Sequence, residues 1–306
     1  MSTQDFSEQQ QIRREKRQRL IDEGRDAYPV EVDRTTSLKD LRGKYQVVGE
    51  GEGDGVTRLE AGQETQDVVA VAGRIMFQRN TGKLCFATLQ ESGADGEAVR
   101  LQVMVSLAAV GEESLAEWKK VVDLGDFLSV TGEVIVSRRG ELSIMASAWE
   151  MASKALRPLP VLHKELSEES RVRQRYADLV VRQEARDMVR TKAAALRAVR
   201  STLDGEGFIE VETPVLQLVH GGAAARPFGT HMNAFSQDMS LRIALELNLK
   251  KAVVGGIDKV YEMGRIFRNE GVDSTHSPEF TMLECYQAYG DQHTMADLTR
   301  RLVAAG

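Results

Sequence analysis

The stretch Lys259–Tyr289, KVYEMGRIFRNEGVDSTHSPEFTMLECYQAY, constrains the fold of this chain more than any other. Two strand-like runs, KVYEMGRIFR and EFTMLECYQAY, flank a polar loop rich in Gly, Asp, Ser and Thr, which predicts a hairpin. Side chains alternate across a strand, so Phe280, Met282, Glu284 and Tyr286 share one side of the second run. Glu262, Gly264, Ile266 and Arg268 share one side of the first. A hairpin whose charges simply face water has no need of Phe, Met and Tyr interleaved with them. A carboxylate and a tyrosine pointing together suit a cationic ligand, and an arginine fork suits a phosphate or a carboxylate. A ligand cleft is the sharper reading, and the rest of the chain decides between the two.

At 306 residues the chain can bury substantial cores, and two domains are expected. Its net charge of −6 gives no general attraction for polyanions, so any nucleic-acid contact must be local. Cys85 and Cys285 stand far apart without partners at metal spacing, as expected of buried thiols in a reducing cytosol; no metal site is read from the chain. The polar start has no apolar stretch of the signal-peptide kind, and no run approaches the roughly 18 apolar residues of a membrane helix. A cytoplasmic protein without a membrane partner is expected.

Residues 7–23 predict a helix in which Arg13, Arg14, Lys16, Arg17 and Arg19 cluster, either solvated or forming an arm that meets an RNA backbone. Residues 43–62, rich in Gly and acids, read as loop, making 1–66 an N-terminal helix and linker. Strands follow at 67–79, 84–91, 99–105, 127–137 and 142–150, with a short helix at 112–122. Three strands, a helix and two strands is the order of an OB-fold barrel, here spanning 67–150, whose outer sheet commonly binds single-stranded nucleic acid. Phe77, Phe86, Gln102 and Glu141 are its candidate readers: a ring stacks on a base, while an amide and a carboxylate bond to base edges.

Residues 151–167, with Pro158 and Pro160, form a stiff connector in which His163 reads as structural. Residues 168–203 read as one long helix, ended by Gly205 and Gly207 and followed by the strand Phe208–Val211 and Thr213-Pro214; such a pair can form a dimer surface. The segment HGGAAARPFGTHMN (220–233) holds two glycines that let backbone approach a ligand. Ser240–Leu247 reads as a strand and Asn248–Val254 as a helix, with Glu246 at the junction, where a helix dipole can steady it or it can take a ligand's amino group. A final helix is expected over Thr294–Ala305.

Three segments now carry a resemblance. The long helix with GFIEVETPVL resembles motif 1 of class II aminoacyl-tRNA synthetases. GGAAARPFGTHMNAF resembles a loop particular to the lysine-specific members, and FRNEG…THSPEFTMLECY resembles motif 2. From about Asp67 to Gly306 the chain is similar to bacterial lysyl-tRNA synthetases, and its N-terminal helix to the one before their anticodon-binding barrel. The resemblance implies an α+β fold: a five-stranded OB-fold barrel, then the first part of an antiparallel class II sheet with flanking helices over 168–306. It implies a homodimer through motif 1, activation of lysine by ATP, and transfer of lysine to tRNA(Lys).

Carried onto this sequence, Arg268 would bind the α-phosphate of ATP and the lysine carboxylate, stabilising charge that grows in the transition state. Glu270 would accept from the adenine amino group, Phe280 would stack on adenine, and His276 would lie near the phosphates. Gly222 and Glu246 would take the lysine α-amino group, and Glu284 with Tyr286 the ε-ammonium. Phe86, Gln102 and Glu141 would read a uridine-rich anticodon. Ser240, Leu245 and Asn248 stand where the family usually has two tyrosines and a proline. Motif 3, the acidic residues that hold Mg²⁺ and a further glutamate for the ε-ammonium lie beyond Gly306 in the family, so the 306-residue chain is expected to be impaired by itself. A tRNA-binding or regulatory paralogue without catalysis, and an aspartyl- or asparaginyl-type synthetase, are the alternatives; the carboxylate of Glu284 argues against an acidic or amide substrate.

Overall fold

From Leu84 to Leu89 and from Leu101 to Val105 every second side chain is buried: Cys85, Ala87 and Leu89 on one strand, Leu101, Val103 and Val105 on the next. That period is the mark of strands with one face in a core. The computed structural model, which describes residues 6–49, 55–92, 96–160 and 166–306, forms two units, Met1–Arg190 and Thr191–Gly306.

In the first unit, helices α1 (Glu8–Asp22) and α2 (Leu38–Lys44) precede two short parallel strands, β1 (Tyr45–Val47) and β2 (Thr57–Leu59). The sequence reading of 43–62 as loop is corrected there: buried Tyr45, Val47 and Leu59 draw these segments into the core. Five strands then close a barrel: β3 (Glu64–Asn80), β4 (Leu84–Ser92), β5 (Ala98–Ser106), β6 (Phe127–Val136) and β7 (Leu142–Ser153), in the order β3-β4-β5-β7-β6. Between β5 and β6 run α3 (Leu107–Val110) and α4 (Glu112–Val121), whose Leu115, Trp118 and Val121 pack into the barrel core at helical spacing.

Ser7 and Gln10 form a capping box that starts α1. The basic cluster of α1 is neither wholly solvated nor wholly free. Arg13 is buried and gives its guanidinium to the carbonyls of Ala155 (3.1 Å) and Leu124 (2.9 Å), while Lys16 pairs with Asp123 at 2.6 Å. Arg14 and Arg17 lie over the rings of Phe6 and Tyr28.

The single long helix expected over 168–203 is also corrected. The chain instead makes α5 (Glu168–Arg173), α6 (Arg175–Val181) and α7 (Gln183–Gly205). Gln174 and Arg182 leave helical geometry, with ψ of 53° and 125°. Asp178, wholly buried between the two breaks, takes Arg175 at 2.6 Å and Arg182 at 3.1 Å and holds the bend. His163 lies outside the described residues.

The second unit contains the end of α7, two small sheets and two helices. One sheet has the order β10-β11-β9, from β8 (Ile209–Glu210) onward in sequence: β9 (Leu216–Gln217), β10 (Gly229–Met232) and β11 (Gln237–Leu241). The other has the order β13-β12-β8, with α8 (Glu246–Val254) leading into β12 (Lys259–Phe267) and β13 (Glu279–Gln287). Helix α9 (Gln292–Ala305) follows, capped by Asp291. The strand read over Ser240–Leu247 stops at Leu241; buried Ile243, Ala244 and Leu245 are an apolar entry to α8, which starts at Glu246 and not at Asn248.

The β12–β13 hairpin packs on both sides. Val260, Ile266, Phe280, Met282 and Tyr286 meet Leu245 and Leu249 of the α8 region. Tyr261, Leu283 and Cys285 meet Leu203 of α7 and Leu298 and Leu302 of α9. The alternation read from the sequence therefore has a core behind each face, as an α+β sheet with flanking helices requires.

Candidate functional site

The barrel's outer face carries the first group of candidates. Phe86 stands opposite Met104, and Thr88 opposite Gln102, on neighbouring strands β4 and β5. Glu141 sits in the turn before β7, where its amide bonds to Ser137 Oγ. All four candidate readers, Phe77, Phe86, Gln102 and Glu141, line one cavity of about 820 Å³ together with Arg79 and Arg139.

Strict alternation would send Phe77 inward, since Ile75 two residues earlier is buried. The ladder slips between Ile75 and Phe77, so that Ile75 faces Leu89 but Phe77 faces Thr88. This β-bulge swings Phe77 and Arg79 to the outer face, leaving the Phe77 ring 53% exposed. Arg79 lies 5.3 Å over the Phe86 ring. Arg42 of α2, absent from the sequence reading, places Nη2 3.4 Å from Glu141 and Nε 3.1 Å from the Arg100 carbonyl. Rings, an amide, a carboxylate and arginines on one concave face can stack on bases, bond their edges and hold their phosphates.

The second unit carries the other group. On β13, Glu284 accepts from the Leu245 amide (3.0 Å) through one oxygen and from the Tyr286 hydroxyl (2.9 Å) through the other. Burial, then that bond to Glu284, pushes the Tyr286 phenol well above its ordinary pKa, so it stays a donor. Gly222 lies directly against Glu246. A side chain there would put its Cβ 2.9 Å from that of Glu246 and 3.0 Å from that of Ala244, and φ is +90°, so glycine alone fits. Glu246 in turn holds Lys250 Nζ at 2.6 Å, and that ammonium lies 5.8 Å from the Tyr286 ring centre.

Arg268 follows β12, its guanidinium 5.3 Å over the Phe280 ring and its Nε 3.5 Å from the Ile243 carbonyl. Glu270 accepts weakly from the Arg226 amide (3.4 Å), and Asn269 donates to the Arg226 carbonyl (2.8 Å), which ties the RPFGTHMN loop to the end of β12. His276 stands apart. It sits in an exposed turn, Nδ1 2.8 Å from Asp273, whose carboxyl is held down to about 2 by hydrogen bonds led by the Thr275 amide.

Glu262, first grouped with the cleft, has a different task. Wholly buried Arg242 gives Nη1 to Glu262 at 2.6 Å and to the Thr213 carbonyl at 3.0 Å, and Thr213 Oγ1 donates to Glu262 at 2.6 Å. This pair pins the Thr213-Pro214 segment to β12. Gly264 makes room for it, since a Cβ there would fall 2.3 Å from Arg242 Nη2. Sequence reasoning missed Arg242; Glu262, the single acid of β12 and on the same side as Val260, Gly264 and Ile266, was the signal for a buried cation. Cys85, buried, and Cys285, half-buried, are free thiols whose pKa values burial raises, which disfavours the thiolate.

Comparison with known proteins matches both units. The profile described as tRNA synthetases class II (D, K and N) matches residues 167–305, and that described as OB-fold nucleic acid binding domain matches 69–152. The chain is 60% identical over 300 residues to a lysine–tRNA ligase of Kineococcus radiotolerans, covering 98% of this chain and 57% of that protein. It is 59% identical over 302 residues to the lysine–tRNA ligase of Mycolicibacterium gilvum (99% and 57%) and 46% identical over 301 to that of Streptococcus thermophilus (98% and 58%). The chain thus spans somewhat over half the length of the curated relatives it matches.

Proposed function

The chain belongs to the class II tRNA synthetases of the D, K and N type, and on that premise we propose that it serves as a lysine–tRNA ligase. In this reading lysine and ATP meet on the β12–β13 hairpin, lysyl-adenylate forms, and the barrel holds the anticodon of tRNA(Lys). The observation that carries the choice of lysine is the pair Glu284–Tyr286, a carboxylate and a neutral phenol joined at 2.9 Å on the inner face of the hairpin. A site that holds a carboxylate partly out of water favours an ammonium and rejects a neutral isostere, whose binding would leave the charge uncompensated.

Arg268, flat against Phe280, presents donors to a phosphate or a carboxylate, and Phe280 offers a ring for adenine. Fixed guanidinium donors stabilise charge on a phosphorus centre without reorganising. Glu246 beside Gly222 is the acceptor for the substrate α-amino group, and Glu270 for the adenine amino group. His276 near the phosphates, a cytoplasmic location and a homodimer through the Thr213-Pro214 segment belong to the same proposal. Mg²⁺ would accompany ATP. Among the described residues no group of three or more His, Cys, Asp or Glu side chains is arranged to hold a metal, so the ion is assigned no residue here. No helix among those residues is long and apolar enough to cross a membrane.

Calorimetric titration tests the reading. Lysine is expected to bind and norleucine, which lacks the ε-ammonium, is not. Glu284→Gln should lower lysine affinity at least tenfold while leaving ATP binding within a factor of about two, since a buried charge pair is worth roughly 1.5–3 kcal/mol. Equal lysine affinity in the variant would overturn the assignment.

A further inference from the structure

Gln90 breaks the pattern of its strand. Phe86, Thr88 and Gln90 all point out from the barrel, yet Gln90 is only 7% exposed. The α6–α7 junction covers it: Gln90 Nε2 donates to the Val180 carbonyl (3.4 Å), and its Oε1 accepts from Arg100 Nε (2.9 Å). Arg186, in the first turn of α7, donates to the carbonyls of Leu179 (2.6 Å) and Val180 (3.3 Å). Arg74 stands opposite Gln90 in the β3–β4 ladder, with its guanidinium 4.2 Å over the Phe127 ring and Nη1 on the Gly125 carbonyl (3.0 Å). A cavity of about 680 Å³ opens among Arg74, Gln90, Phe127, Val180 and Arg186.

Among the described residues, the arginines of this cavity outnumber the carboxylates that pair with them. Arg34 and Arg190 on its rim pair with Glu91 and Asp187. Among the described residues no carboxylate makes an ion pair with Arg74, Arg100 or Arg186. Asp187 and Glu184 act on Arg186 only through space, against the like charge of Arg100. Burial lowers the pKa of both Arg74 and Arg186, and Arg186 Nε is buried with no acceptor among the described residues. Partly buried cations helped only through space, Arg74 by Asp126 and Arg186 by Asp187 and Glu184, beside an unused N–H, leave room for an anion as a direct partner.

We propose that this cavity is a phosphate-binding site in which Arg74 and Arg186 converge on one phosphate group. Guanidinium forks match the oxygens of a phosphate, and the apolar wall of Phe127 and Val180 strengthens each bond by excluding water. The phosphate has two possible sources, an RNA backbone or a free phosphate compound. The RNA source is favoured, and it rests on the reading of the barrel as a tRNA-binding face. Gln90 is four residues from Phe86 on β4, about 13 Å at roughly 3.3 Å per residue, so a strand stacked on the reading face passes within a few nucleotides of the cavity.

Two probes test the site: a tRNA transcript with a uridine-rich anticodon, followed as affinity against salt, and inorganic pyrophosphate, followed through the arginine Nε–H resonances. In the wild-type chain pyrophosphate is expected to shift the Arg74 and Arg186 signals. In Arg74→Gln, and in Arg186→Gln, the slope of log affinity against log salt should fall by about 1 each, since each removes one phosphate contact. The Arg74→Lys/Arg186→Lys double variant keeps both charges; it should hold the salt slope but weaken pyrophosphate binding about tenfold, and it remains informative if the Gln variants fail to fold. A pyrophosphate response with an unchanged tRNA slope assigns the site to free phosphate. A pyrophosphate response in a chain that binds no tRNA overturns the reading of the barrel and leaves the site standing. Normal tRNA binding with an unchanged slope in both Gln variants, and arginine signals unmoved by pyrophosphate, overturn the site.

Discussion

The two units each bury an ion pair, and they use it differently. In the barrel unit Lys154 is wholly buried, with Nζ 2.6 Å from Asp123, 2.7 Å from Asp126 and 2.7 Å from the Val121 carbonyl. Asp123 also takes Lys16 of α1, so one cluster ties the N-terminal helix, the segment before β6 and the end of β7 together. Burial raises the Asp126 carboxyl above its usual range, whereas Asp123, though burial opposes it, is drawn below its usual range by hydrogen bonds from Lys154 and Lys16. In the second unit one guanidinium meets one carboxylate, Arg242 with Glu262, and the guanidinium keeps carbonyl acceptors at Arg265 and Thr213 as well. The barrel's cation is the hub of a charge cluster. The second unit's cation is a pin between a loop and a strand, and it engages neither Glu284 nor Glu246, on the same hairpin and the neighbouring helix.

That difference predicts unequal damage. Lys154→Met strands the wholly buried Asp126 and leaves Asp123 only Lys16, and should cost the barrel unit about 3–5 kcal/mol in urea unfolding. Glu262→Gln should cost the second unit about 1–3 kcal/mol, because Arg242 keeps its carbonyl partners. Equal losses would break the comparison. On the barrel's outer face, Phe77→Ala should leave stability within about 0.5 kcal/mol, since the ring is half exposed. The same change should lower affinity for a uridine-rich single strand by about 1–3 kcal/mol in fluorescence anisotropy, the worth of one stacked base. An unchanged affinity would remove Phe77 from the reading face. The smallest effect concerns Asp273. Its folded pKa lies below the usual carboxylate value, so the turn it organises is fully held above about pH 4 and is lost as pH falls through about 2. The amide resonances of Thr275 and His276 should titrate with that midpoint, and a midpoint near 4 would contradict the turn.

Much of the fold was legible because it rests on short-range periodicity. The barrel's alternation at Cys85–Leu89 and Leu101–Val105, and the two-faced hairpin of β12 and β13, follow from side-chain period alone. Where the reading failed, burial had overruled the local pattern. Residues 168–203 carry good helix formers throughout, but buried Asp178 recruits Arg175 and Arg182 and bends the run into three helices. Ile243, Ala244 and Leu245 look like strand because they are apolar, while their burial belongs to the approach of α8. The candidate site divides in the same way. Glu284 and Tyr286 could be paired from their spacing of two; that Glu284 also accepts from the Leu245 amide could not.

By itself the sequence determined which residue types face together along each strand, where a carboxylate and a phenol share a side, and the order of elements that makes an OB-fold barrel. Only the tertiary structure decided that a bulge at Met76 turns Phe77 and Arg79 outward, that Glu262 belongs to Arg242, and that Gln90 lies covered among three arginines. The physical reason is range. A strand's period is set by its own backbone, whereas a ladder slip, a buried counter-ion and a covered face are set by residues far away in the chain, whose approach no local pattern encodes.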